Sequence, residues 1–220
     1  MPTLTKDGPL WIIELGAEEN RFTPEFLSPV EEFLHEVASD GEPAALCTIG
    51  AGKFYSNGLD LDWLGAHPDQ LGPYVQRVQA LLATVLTLPV PTVAAVNGHA
   101  FGAGAMLAMA HDSRVMRQDR GYFCFPEVDI DIPFTPGMTA LLKAKLTART
   151  ALDAMTTGRR HAGPDALAAG LVDRTSSAAE LRATATGLVR PLAGKNRATL
   201  GAIKAGLFAD AVTALRRPPA

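Results

Sequence analysis

Two stretches constrain this chain more than anything else in it, because each sends an apolar run of strand length into a glycine-bearing turn. The later one reads PTVAAV, then NGHAFGAG, then the helical AMLAMAHD. The earlier one reads AALCTIGA and then FYSNGLDL. Apolar runs this short fit strands buried on both faces, and Asn97-Gly98 and Asn57-Gly58 are turn signals. Such strands need cover on both sides, which favours an α/β fold with a mostly parallel sheet.

The remaining segments agree with that class. LWIIEL reads as a first strand. TPEFLSPVEEFLHEVAS reads as a helix with Thr23 as N-cap and Pro24 at the first helical position, although Pro29 disturbs its early part. QLGPYVQRVQALLATVLTL has helical spacing and stops before Pro89 and Pro91. GYFCF reads as a short strand, FTPGMTALLKAKL, TARTALDAMTTG and PDALAAG as three short helices, and LVD as a brief strand. AAELRATATGLVRPLAG and NRATLGAIKAGLFADAVTAL make the last third helical. The expected division is a core domain over 1–165 and a helical C-terminal region over 166–220, a candidate oligomerisation element.

A net charge of -3 argues against nucleic acid or an anionic membrane as the main partner. Cys47 and Cys124 sit in apolar segments without metal spacing, as buried thiols in a reducing compartment would. The N-terminal MPTLTKDGPLWIIELG lacks the pattern of a signal peptide. Asn, Gly and His interrupt the longest apolar stretches, so no membrane span is expected. The expectation is a cytoplasmic protein.

AVNGHAFGAG has three readings. As a dinucleotide fingerprint it fails, because Leu107 occupies the third glycine position and two strands precede it. As a packing device, its small residues let helix and strand approach. As an anion site, it offers unpaired N–H groups at a helix N-terminus. Two such turns, each presenting one N–H, would make an oxyanion hole.

FYSNGLDL and AVNGHAFGAGAMLAMAHD lie in this order about 45 residues apart, and together they resemble the two signature turns of the crotonase (enoyl-CoA hydratase/isomerase) superfamily. The likeness continues through FPEVDIDIP, GRRHAGPDALAAGLVD and KNRATLGAIKAGL. The resemblance implies a crotonase-like ββα spiral of mostly parallel strands with a helical C-terminal region. It implies an acyl-CoA thioester substrate and a homotrimer or dimer of trimers. No metal and no resident cofactor are expected, since CoA enters with the substrate. It also implies oxyanion donors at the N–H groups of Leu59 and Ala103. Substrate contacts would come from Phe54, Ser56, Asn57, Gly58, Asp60, Leu61, His99, Gly102 and Met106. Ala103 departs from the glycine common in the family, but a backbone donor needs no particular side chain.

Hydratases of this family flank the substrate with two glutamates. Met106 stands at the first position and cannot transfer a proton; Glu127 matches the second. Adding water conveniently uses two groups, whereas moving a double bond from position 3 to position 2 needs one shuttle. The chain thus looks most like the delta(3)-delta(2)-enoyl-CoA isomerase branch, with Glu127 as base. Alternatives are a hydratase or other thioester-enolate chemistry, and a non-catalytic acyl-CoA-binding protein. On a strand, Glu127, Asp129 and Asp131 would share a face, and the neighbouring charges would raise the pKa of Glu127.

The other candidates carry less. His35, His67, His99, His111 and His161 show no metal spacing. Trp11 reads as core and Trp63 as pocket wall. Lys195, Arg197 and Lys204 are candidates for a CoA phosphate, or plain solvated helix charges.

Overall fold

The apolar runs become strands stacked in chain order. The computed structural model describes residues 1–218. β1 (Thr3–Asp7) and β2 (Leu10–Glu14) form a hairpin, followed by α1 (Pro24–Ser39), β3 (Ala45–Ile49) and β4 (Phe54–Ser56). Next come α2 (Leu61–Ala66), α3 (Leu71–Leu86), β5 (Thr92–Val96), β6 (His99–Phe101) and α4 (Ala103–Ala110). Then follow β7 (Ser113–Arg117), β8 (Phe123–Cys124), α5 (Pro136–Lys145), α6 (Ala148–Thr157), α7 (Gly163–Ala168) and β9 (Arg174–Ser176). The chain continues through α8 (Leu181–Val189), α9 (Arg197–Leu207) and α10 (Ala209–Arg216).

The large sheet has the order β1-β2-β3-β5-β7-β9 and is parallel apart from the β1–β2 hairpin. A smaller parallel sheet has the order β4-β6-β8. Each circuit therefore lays one strand in the large sheet and one in the small sheet, then returns through helix. This is the expected ββα spiral. Alternation along the large sheet feeds two apolar layers. Leu10, Ile12, Ala45, Cys47, Val93 and Ala95 face α8, while Ile13, Leu46, Ala94 and Val96 face the main core.

Several local expectations shift. β1 was not foreseen; its TLTKD is mostly exposed and polar, as suits an edge strand. Pro29 does not interrupt α1, which starts on Thr23 and Pro24 as expected and buries Phe26, Leu27, Val30, Leu34 and Val37. The last strand begins at Arg174, after the LVD run. The division at 165/166 falls inside α7, and β9 beyond it pairs with β7 in the large sheet. Among the described residues no single helix is long and apolar enough to cross a bilayer; α9 and α10 reach that length only together and bend by 76°.

Two of the phosphate candidates are committed to the fold. Arg197 donates to Ala38 O (2.9 Å) and Glu42 O (3.1 Å), closing the end of α1. Lys204 is buried, and its ammonium donates to Leu88 O (3.1 Å), Val90 O (2.8 Å) and Asp112 Oδ2 (2.6 Å). Three donors meet three acceptors, which leaves none for a ligand. Lys195 remains exposed. Lys204→Met should lower unfolding free energy in urea by about 2 kcal/mol, since Asp112 and two carbonyls lose their donor while solvent reaches part of Asp112. KM for a CoA ester should stay unchanged; a rise in KM without a stability loss would restore the phosphate role.

Candidate active site

The first turn is bent by Gly58, whose φ of 79° suits glycine, and is tied down on every side. Ser56 is fully buried; its hydroxyl accepts the Gly58 N–H (3.1 Å) and donates to Asn20 O (2.8 Å). Asn57 N–H donates to Glu19 O and Phe22 N–H to Gly58 O, both at 2.8 Å. Asn20 itself has positive φ (51°) and gives its side-chain N–H groups to Tyr55 O (2.9 Å) and Gly16 O (3.1 Å). The segment from Gly16 to Phe22 is thus a clamp for the first turn. The sequence reading missed it; the only local signal was an Asn in a polar loop.

The second turn ends on Gly102, whose φ 51° and ψ -124° exclude side chains, and opens directly into α4. The two turns touch. A Cβ on Gly58 would lie 2.8 Å from Ala103 N, and one on Gly104 would lie 2.3 Å from Ser56 O. Glycine at both places lets the backbones meet. Neither Leu59 N–H nor Ala103 N–H donates to a protein acceptor among the described residues. At the far end of α4, His111 O accepts from Arg114 Nη1 (3.1 Å) and Lys145 Nζ (2.8 Å), cations that complement the helix dipole.

A cavity of about 70 Å³ opens where the turns meet. Asn57, Leu59, Leu61, Gly102, Ala103, Met106 and Glu127 from the sequence reading line it, joined by Pro126, Ile130, Ile132, Pro133 and Met138. Those last five went unrecognised individually, although FPEVDIDIP and TPGM lie in a Pro-punctuated stretch where apolar residues alternate with acids. Five predicted contacts are not on the wall. Gly58 forms the bend itself, with its N–H donated to Ser56 Oγ. Phe54 and His99 pair across β4 and β6 on the outer face of the small sheet, where His99 also packs on Phe101 and Tyr122. Strand alternation turns them away from the cavity while Ala100 faces inward. Ser56 lies beneath the turn. Asp60 is the N-cap of α2, accepting from Trp63 N–H (3.1 Å) and pairing with Arg21. Trp11 is core, and Trp63 stacks on His67 and packs tilted against Tyr74 without lining the cavity.

Glu127 is 7% exposed at the start of a short 3-10 turn, Glu127–Asp129, and not on a strand. That removes the shared face with Asp129 and Asp131, which are both exposed, Asp131 with φ 56°. Burial, not neighbouring charge, lifts the Glu127 carboxyl from 4.5 to about 7, against a small opposing pull from its own backbone N–H. Its Oε2 has no partner among the described residues, and Oε1 would sit 3.4 Å from a Cβ on Gly102. A base with a free oxygen therefore faces the two unpaired N–H groups across one small apolar space. Among the described residues no group of three His, Cys, Asp or Glu could hold a metal.

The titration of Glu127 reaches stability. Between pH 4.5 and about 7 the folded chain keeps a proton that the unfolded chain has lost, so stability falls as pH rises through this window. Glu127→Gln should match the wild type in urea unfolding near about pH 4 and exceed it above about pH 7 by on the order of 3 kcal/mol. Equal stability at both ends would mean that the carboxyl is not held in a desolvated place.

Comparison with known proteins agrees with this architecture. The model of the enoyl-CoA hydratase/isomerase family matches residues 12–218. Enoyl-CoA delta isomerase 3 of Arabidopsis thaliana is 38% identical over 180 residues, 79% of this chain and 76% of that protein. The peroxisomal enoyl-CoA delta isomerase 2 of the same plant is 36% identical over 182 residues, with 79% and 76% covered. Among solved structures, a Mycobacterium tuberculosis protein, named an enoyl-CoA isomerase in its apo structure and a probable enoyl-CoA hydratase in another, superposes in the apo form with a TM-score of 0.88 at 26% identity, covering 98% of this chain and 94% of that one.

Proposed function

Because this chain belongs to the enoyl-CoA hydratase/isomerase family, we propose that it shifts the double bond of a 3-enoyl-CoA to give the 2-enoyl-CoA. One observation carries the choice of reaction: among the described residues Glu127 is the sole ionisable side chain on the cavity wall, and Met106, 1% exposed, stands where a second acid would be needed. Glu127 Oε2 takes a proton from carbon 2. The electron pair moves into a dienolate whose oxygen rests between the N–H groups of Leu59 and Ala103, and the same carboxyl returns the proton at carbon 4. Each donor contributes on the order of 3 kcal/mol to the transition state, and the positive end of α4 adds to the Ala103 donor.

The apolar wall of Leu61, Met106, Ile130, Ile132 and Met138 supports isomerisation over hydration. Apart from Asn57, whose amide donates to Glu19 Oε2 (3.4 Å), it offers water no second polar side chain among the described residues, and an unpaired polar group there would be costly. A hydratase using Glu127 alone is the second reading, and an acyl-CoA-binding protein without turnover the third. CoA arrives with the substrate, so the reading includes no resident cofactor. A homotrimer or dimer of trimers and a cytoplasmic setting complete it, resting on family likeness and on the sequence.

The test uses both thioesters. With a 3-enoyl-CoA, absorbance of the conjugated product should grow; with a 2-enoyl-CoA it should hold steady. Loss of absorbance with the second substrate would favour hydratase, and binding without change in either would favour the third reading. The base must be ionised, so kcat/KM should rise with pH through about 7 and then level. Glu127→Gln should lower kcat by about 10²–10⁴-fold; full activity in that variant would remove Glu127 from the mechanism.

A further inference from the structure

Three polar side chains unused by this mechanism run through the core from the strand before the first turn to the far end of α4. Tyr55, on β4 just before the first turn, places its hydroxyl 2.7 Å from Thr48 Oγ1 on β3. Thr48 Oγ1 lies 3.0 Å from His111 Nε2, and His111 Nδ1 lies 2.8 Å from Leu107 O. Tyr55 and His111 are fully buried and Thr48 nearly so. A carbonyl can only accept, so Nδ1 carries the ring proton and Nε2 is the acceptor. The chain is then directed throughout: Tyr55 O–H donates to Thr48, Thr48 O–H donates to His111, and His111 N–H donates to Leu107 O. Burial pushes the imidazole down to about 4, so it stays neutral and this direction holds at ordinary pH.

The chain joins the two elements that carry the N–H donors. His111 is the C-cap of α4, whose first residue is Ala103. Its carbonyl is held by Arg114 and Lys145, so both ring and backbone are fixed. An eight-residue helix is about 12 Å long and stiff, and tilting its far end displaces its N-terminus. Apolar side chains of similar volume would fill this space without loss of stability, but they slide; directed hydrogen bonds set an angle. We propose that Tyr55, Thr48 and His111 are positioning residues that hold the Ala103 N–H at its working distance from the Leu59 N–H. This rests on the isomerase reading for its kinetics but not for its geometry.

Two readouts test it, turnover and the red shift of 2,4-hexadienoyl-CoA on binding, which reports polarisation of the thioester carbonyl without reaction. Thr48→Val keeps the shape and removes the hydroxyl. It should lower kcat by about tenfold or more, leave KM near wild type, and reduce the red shift. Thr48→Ser should restore kcat and red shift. If Thr48→Val fails to fold, Tyr55→Phe, which removes only the terminal donor, should show the same pattern at about two- to fivefold. Wild-type kcat and red shift in a folded Thr48→Val or Tyr55→Phe variant, with only the melting temperature lowered, would overturn the proposal. So would a Ser variant no better than Val. A wild type that shifts the probe but isomerises nothing would defeat the isomerase reading and leave the positioning role standing; a wild type that isomerises without shifting the bound probe would keep the isomerase reading and defeat the positioning role.

Discussion

The rest of the site depends on a contact between backbones. Gly58 and Gly104 let the β4 turn and the first turn of α4 meet at distances no Cβ would allow. That closeness places Leu59 N–H and Ala103 N–H on one small cavity. Gly58 and Gly102 supply positive φ, while Gly104 supplies only room. The parallel β4–β6 pairing brings the turns side by side, and the spiral lays those strands next to each other circuit after circuit. The architecture is a means of stacking strand ends.

Support for the contact comes from outside the two turns. Asn20 adopts a left-handed conformation to satisfy the carbonyls of Tyr55 and Gly16, so the loop after β2 braces the first turn. Asn97 plays a similar part lower down, accepting from Gly50 N–H (2.8 Å) and donating to Gly52 O (3.0 Å). Asn-Gly at 97–98 is therefore a clamp as well as a turn. Buried backbone groups in irregular segments need such partners, and short amides provide them.

How much of this was legible follows from the range of each signal. The buried strands and the helices have local periodicity, and Thr23 with Pro24 is a start signal complete within two residues. The glycine turns and Glu127 carry their chemistry in neighbouring residues, so they could be found and matched. What faces what is not local. His99 lies in the signature turn yet points away, because strand alternation decides it. Lys204 looks like a free helix cation until Asp112, 92 residues earlier, closes on it. Asp129 and Asp131 appeared to share a face with Glu127 only because a strand was assumed where the chain makes a 3-10 turn. The Tyr55–Thr48–His111 chain spans 63 residues between Thr48 and His111, and no spacing announces it.

The placement of Glu127 also bears on how the proposed reaction distributes charge. With the base ionised, the site carries one negative charge before proton abstraction and one after it; only its position changes, from carboxylate to thioester oxygen. Burial without a partner penalises the first position, which is why the carboxyl is pushed up to about 7. The unpaired N–H groups and the positive end of α4 favour the second. The two effects act in the same direction on the proton transfer, since one destabilises the reactant anion and the other stabilises the product anion. A second carboxylate at position 106 would work against this arrangement, placing another charge in the same low-dielectric space and raising the cost of every ionised state. Methionine there keeps the site to a single charge, and a single charge moved over a short distance is what a double-bond shift requires.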